Sequence, residues 1–199
     1  MAQMTWDASD GYVVLYGGLV GVSAYATDTW TFANGMWTNI TRTTTGTPPA
    51  LVLSSMAFDP STQKVVMFGG QGSTTSYTNY TWTYHNKTWT NVSRTSGPSP
   101  PARSQGTMTT DSTDGEILLT GGLTPKGFGA DTWTYKNGQW TNVTSGARLG
   151  ATLDLPTVTD DTAIHGVLMT GAIVWSGPTA HFGTYEYSGG TWHNFTSLL

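Results

Sequence analysis

The feature that most limits what this chain can fold into is an internal period of about fifty residues. Glycine pairs at Gly17-Gly18, Gly69-Gly70 and Gly121-Gly122, with Gly171-Ala172 as a fourth, recur at intervals of 52, 52 and 50 residues. An aromatic follows each pair at Trp30, Trp82, Trp133 and Tyr185, spaced 52, 51 and 52 apart. A second follows at Trp37, Trp89, Trp140 and Trp192, with the same spacings of 52, 51 and 52. Met4, Met56 and Met108 keep the period of 52 upstream. A chain built this way stacks one supersecondary unit upon its copies, because no single unit buries its own apolar faces.

Each copy holds four short β-candidates. The first is of the type MTWD, MAFD or MTTD and ends in an Asp-rich turn such as Asp7 to Gly11. The second is a nearly unbroken apolar run, Val13 to Tyr16 or Val65 to Phe68, as suits a strand covered on both faces. The third alternates Thr with aromatics, as in Thr81-Trp82-Thr83-Tyr84, and the fourth reads Trp-Thr-Asn or a close variant. Between third and fourth stand Asn34-Gly35, Asn86-Lys87, Asn137-Gly138 and Gly189-Gly190. Such residues tolerate the positive φ that a two-residue type I′ hairpin needs. No stretch sustains helical apolar spacing, so the chain reads as all-β. The expected units are residues 1–42, 50–94, 102–145 and 147–197 of a single domain. Four antiparallel strands per repeat describe a propeller blade.

Composition removes several classes of function. Charged residues make up 10% of the 199, the net charge is −4, and the few Lys and Arg are scattered, which argues against binding a phosphate backbone. There is no Cys, hence neither disulfides nor thiolate metal or redox chemistry. No apolar run is long enough to span a bilayer. Met1 to Asp10 has neither a basic nor an apolar signal region, so no secretory signal is expected within this segment.

The glycine pair after an apolar strand, the spaced aromatic and the following Trp resemble the kelch repeat over essentially the whole chain. The wording is also similar to archaeal kelch-type surface proteins, in segments such as SPPAR, DASDGYVVLYGG and DTWTYKNGQWTNVT. The resemblance implies a kelch-type β-propeller, like that of galactose oxidase, with four four-stranded antiparallel blades. Family members usually carry more blades than these, which leaves three arrangements open. They are a segment of a larger propeller, a four-bladed ring closed by packing, and a half-ring that pairs with a second copy. The oxidase's cofactor needs a Tyr–Cys crosslink, so its chemistry is excluded here.

Within such a blade, the second-to-third loop and the linker to the next copy emerge on one face, and loops carry function more often than strands. The candidate ligand-binding residues on that face are Tyr25, Tyr77, Lys126, Phe128, Trp175, His181 and Phe182, with Arg103 and Arg148 from the linkers. Aromatics beside arginine can stack on a sugar or anchor a peptide; the competing role is packing within loops and bracing of neighbouring blades. His85, His165, His181 and His193 occupy different repeat positions and do not form a ligand set. No metal or other cofactor is expected, and no catalytic residue. Six of the eight Asn, at positions Asn39, Asn79, Asn86, Asn91, Asn142 and Asn194, begin N-x-Ser/Thr sequons, four of them one repeated position. They are the expected glycosylation sites, where glycans would shield the outer strand's edge; the competing role is that Asn and Thr simply suit this strand.

The expected function is a non-catalytic extracellular or cell-surface binding or adhesion module that meets a glycan or protein through its loop-rich face. The alternative is a structural subunit that self-associates to complete a ring or surface layer. A third reading, an enzyme of the hydrolase, lyase or cyclase kind, would place repeated acids such as Asp28 and Asp131 near an axis. Nucleic acid and membrane-spanning roles are not expected.

Overall fold

The computed structural model describes residues 1–21, 23–73, 76–144, 156–176 and 179–196, with the backbone alone over 172–176 and 179–181. The described chain is all-β, with four antiparallel four-stranded sheets, one per copy. Copy 1 supplies β1 (Gln3–Asp7), β2 (Tyr12–Tyr16), the two-residue strands β3 (Leu19–Val20) and β4 (Ala24–Tyr25), then β5 (Thr29–Ala33) and β6 (Met36–Asn39). Sheet 1 runs β1-β2-β5-β6, and β3 pairs with β4 as a small separate hairpin. Sheet 2 is β7 (Ser55–Asp59), β8 (Lys64–Phe68), β9 (Thr81–His85) and β10 (Thr88–Asn91). Copy 3 repeats the pattern of copy 1 with β11 (Thr107–Asp111), β12 (Glu116–Thr120), the small hairpin β13 (Leu123–Thr124) and β14 (Gly127–Phe128), β15 (Thr132–Lys136) and β16 (Gln139–Asn142). Sheet 4 is β17 (Thr157–Asp161), β18 (Gly166–Ser176), β19 (Thr179–Ser188) and β20 (Thr191–Asn194).

The turns obey their residues. Asn34-Gly35, Asn86-Lys87, Asn137-Gly138 and Gly189-Gly190 all have φ between +45° and +80°, the primed geometry whose twist matches that of the strands it joins. The Asp-rich turns are closed by their own carboxylates. Asp7 Oδ1 accepts from the Ser9 and Asp10 amides, and Asp111 Oδ1 from the Thr113 and Asp114 amides. The glycine pair has a reason outside its own sheet. Gly70 N donates to Arg103 O at 2.8 Å, across to the next copy's linker, and a Cβ on Gly69 would lie 2.6 Å from that same oxygen. Gly17 and Gly18 repeat this against Leu51 O.

Copy 4 departs where its sequence does. The second-to-third loop expected in this copy, which carries Trp175, His181 and Phe182, is instead an extension of β18 and β19, paired from Ala172–Gly183 to Ser176–Thr179 after a register shift. In the first three copies the second glycine sits at φ 102°, 103° and 90°, which bends the chain out of the ladder. Ala172 replaces that glycine, and a side chain there disfavours the bend.

The sheets stack in order through their first strands, β1 on β7, β7 on β11 and β11 on β17. Each has a front face, which carries the outer-strand Trp, and a back face. Val14 and Tyr16 on the back of sheet 1 receive Met56, Met67, Tyr84 and Trp89 of sheet 2. Val66 and Phe68 of sheet 2 receive Ile117, Leu119, Tyr135 and Trp140. Leu118 of sheet 3 receives Val167, Met169, Tyr187 and Trp192. The same polar bond fixes all three seams. Trp89 Nε1 donates to Thr29 Oγ1, Trp140 Nε1 to Thr81 Oγ1 and Trp192 Nε1 to Thr132 Oγ1, each at 3.0 Å. Within its own sheet each indole also packs on a tyrosine at 4.9 to 5.3 Å, Tyr84, Tyr135 or Tyr187.

Glu116 lies beside the third seam. Burial foremost, then Asp114, pushes its carboxyl up to about 6; Lys136 opposes this and Asp111 adds to it. The folded chain therefore holds this proton more tightly than the unfolded chain, whose carboxyl has the ordinary value of 4.5. This group's contribution is most favourable below that value and is lost as pH rises through about 6.

Two outcomes follow for unfolding in urea. Trp140→Ala costs about 3–5 kcal/mol, because it empties a closed seam and orphans Thr81, while Trp37→Ala, whose indole meets solvent, costs less than about 1 kcal/mol. Glu116→Gln stabilises the chain at neutral pH by on the order of 1 kcal/mol and loses that advantage in acid; equal gains at both pH values would refute the assignment.

Candidate functional site: paired clefts on the loop-rich face

The linker entering each copy is zipped to the excursion that follows that copy's second strand. Val52 N donates to Gln71 O at 3.0 Å and Gln71 N to Val52 O at 2.9 Å. Ser104 and Leu123 exchange the same two bonds in copy 3, at 3.0 and 2.8 Å. Between linker and excursion the described residues leave a cleft in copy 2 and another in copy 3. In copy 2 a cavity of about 430 Å³ is bounded by Pro49 and Ala50 on the linker and by Ser76, Tyr77, Asn79 and Tyr80 on the excursion. In copy 3 a cavity of about 340 Å³ is bounded by Pro101 and Ala102 and by Thr124, Pro125, Lys126 and Asp131. Pro101 and Ala102 stand 52 residues after Pro49 and Ala50, so the clefts are equivalent places in successive copies.

Their chemistry differs. Beneath the copy 3 cleft, Arg103 pairs with Asp131 and donates to Gly121 O at 2.8 Å and Pro101 O at 3.2 Å. Burial alone would raise the Asp131 carboxyl, but the Arg103 hydrogen bond and charge, with the Trp133 indole N–H, hold it below the usual carboxylate range. Leu51 and Tyr80 occupy the corresponding places in copy 2, so the ion pair is replaced as a unit. The residues lining the copy 2 cleft are uncharged, with two tyrosines set among Ser, Thr and Asn.

The candidates from sequence are distributed unevenly over this surface. Tyr77 lines the copy 2 cleft and Lys126 the copy 3 cleft. Phe128 is exposed on β14 of the same excursion as Lys126, and Tyr25 is half-buried on β4, opposite Leu19. Phe182, 76% exposed, stands on the extended hairpin of copy 4. Arg103 is 1% exposed with its guanidinium spent on protein acceptors, so it shapes the cleft from below. Arg148 lies outside the described residues, as do the side chains of Trp175 and His181. Sequence reasoning passed over Pro49, Pro101, Pro125 and Tyr80; the repeated Pro-Pro-Ala before a first strand was the available signal. Among the described residues no three His, Asp or Glu side chains gather closely enough to hold a metal ion.

The sequons have a structural occupation. Asn39, Asn91, Asn142 and Asn194 each accept, through Oδ1, from the amide two residues on, at 2.9 to 3.0 Å. The Ser or Thr that completes each sequon then accepts the amide of the third strand: Thr29 to Thr41 Oγ1, Thr81 to Ser93 Oγ, Thr132 to Thr144 Oγ1 and Thr184 to Thr196 Oγ1. Asn-x-Thr is thus a clamp from outer strand to third strand, required once per copy. Asn79 and Asn86 fall outside this clamp, and all six sequon Asn are exposed.

No protein-family model matches the chain, and no curated protein matches its sequence.

The clamp makes a separable prediction. Asn142→Ala loses about 1 kcal/mol in urea unfolding, whereas Asn142→Asp, which keeps the acceptor, stays near wild type. Equal losses would show that the side-chain oxygen does not carry the turn.

Proposed function

We propose that the four sheets are blades of a kelch-type β-propeller that serves as a non-catalytic binding or adhesion module at the cell surface, recognising a glycan or protein through its loop-rich face. The observation that carries this reading is the repetition of one cleft in two successive copies, with a constant frame and altered lining. A frame held by reciprocal backbone bonds leaves the lining free to specify a ligand. The copy 2 cleft favours the glycan. Tyr77 and Tyr80 offer aromatic faces for a sugar ring, and Ser76, Thr78 and Asn79 offer hydroxyl and amide groups at their edge. The kelch reading rests on the glycine pairs and the spaced aromatics. The surface location rests on the likeness to kelch-type surface proteins and on the exposure of all six sequon asparagines, where a glycan could be attached.

A glycan array probed with the 199-residue chain tests the assignment. Retention of a defined glycan class is expected, weakened about tenfold or more by Tyr77→Ala or Tyr80→Ala. Binding to none of the glycans, or binding indifferent to both substitutions, would remove the glycan reading.

A further inference from the structure

Sheet 1 leaves open the face that sheets 2, 3 and 4 bury. Strand register places Met4, Trp6, Leu15, Trp30, Phe32 and Trp37 together on its front. Met4, Trp6 and Trp37 are 60%, 54% and 46% exposed, against 3% for Trp89 in the equivalent seat of sheet 2. Trp37 is already posed for a seam, since it packs on Phe32 at 5.1 Å as Trp89 packs on Tyr84 at 5.0 Å. It lacks only the threonine that its counterparts bond.

Sheet 4 carries the complementary half. The back of sheet 3, which receives sheet 4, presents Thr107, Thr109, Leu118, Thr120, Thr132 and Thr134. At the same places the back of sheet 4 carries Thr157, Thr159, Leu168, Thr170, Thr184 and Glu186. Five of the six are the same residue type. Thr184 and Leu168 are partly exposed there, whereas Thr132 and Leu118 are sealed beneath Trp192 and its neighbours. Glu186 is the one departure, and the third seam already tolerates a carboxylate, Glu116, close to Tyr187.

We propose that the chain associates head to tail with a second copy of itself, the front of sheet 1 seating on the back of the partner's fourth sheet through a Trp37–Thr184 bond. The occupant is specified by the chain's own seams. Three of them join this kind of front to this kind of back with one hydrogen bond of one length. A front pressed against another front would give the Trp37 indole N–H no threonine. Because the two surfaces differ, the contact is heterologous, and it either closes into a ring or propagates.

Sedimentation velocity of the 199-residue chain at rising concentration reads this directly. The expected result is reversible, concentration-dependent association of the wild type. Trp37→Ala, which disables the front, and Thr170→Arg, which disables the back, each give a monomer. Mixed in equal amounts, the two variants form a one-to-one dimer and nothing larger, because one intact front meets one intact back. Both positions are exposed, so the urea-unfolding midpoint of each variant should stay close to that of the wild type; Trp6→Ala is the second front variant if that of Trp37→Ala does not. A wild type that stays monomeric, association that survives loss of the front, or a variant mixture that stays monomeric would each overturn the proposal.

Discussion

The indole-to-threonine bond between neighbouring sheets is the interaction on which the rest of this structure depends. A flat four-stranded sheet has no means of fixing its slide or tilt against the next one, since apolar contact is indifferent to direction. A buried indole N–H is not indifferent: without an acceptor it costs roughly 1–3 kcal/mol. Only one placement of each sheet lets Trp89, Trp140 and Trp192 reach Thr29, Thr81 and Thr132 while their rings remain packed on tyrosine. Bulk and register thus come from one side chain. The glycine pair then brings the following linker close enough to bond across, and the linker frames the cleft.

The sheets were legible in the sequence because every requirement on them recurs. Gly69, Trp82 and Trp89 each have equivalents a fixed distance away, and Asn-Gly turns mark the hairpins. The seams were not legible in the same way. Nothing in the spacing says that Trp89 bonds to Thr29 sixty residues earlier rather than to a neighbour in its own copy. The clefts were half legible. The second-to-third loops point to the face on which the clefts lie and to Tyr77 and Lys126 of their linings, but Pro49 and Pro101 read as linker residues, because nothing in the sequence says that the chain folds back beside them. Arg103 shows the limit of residue type as a guide, because a cation in a linker looks available until its acceptors are known. The excursion of copy 4 reads as a loop only by likeness to its counterparts, which leave the ladder at their second glycine. One alanine in place of a glycine let the ladder run on.

Chemistry in this molecule is divided between positions that repeat and positions that do not. The Asn-x-Thr clamp, the glycine pair and the indole bond hold the scaffold, and none of them lies on the cleft lining. Arg103 with Asp131, and Leu51 with Tyr80, change as pairs within that frame. A surface arranged this way can alter what it contacts without altering what holds it up.

The third seam differs from the other two in one respect with a thermodynamic result. Trp89 meets Tyr16 at 5.1 Å and Trp140 meets Phe68 at 5.2 Å, edge to face across their seams. The residue at that place in sheet 3 is Thr120, so Trp192 has no ring opposite it. In an array where each sheet touches only its neighbours, stability is a sum over joints, and loss of order begins at the weakest. The array is therefore graded from a firm middle to a soft fourth sheet. Amide protons of β17 to β20 should exchange through a partial opening that leaves sheets 1 to 3 closed.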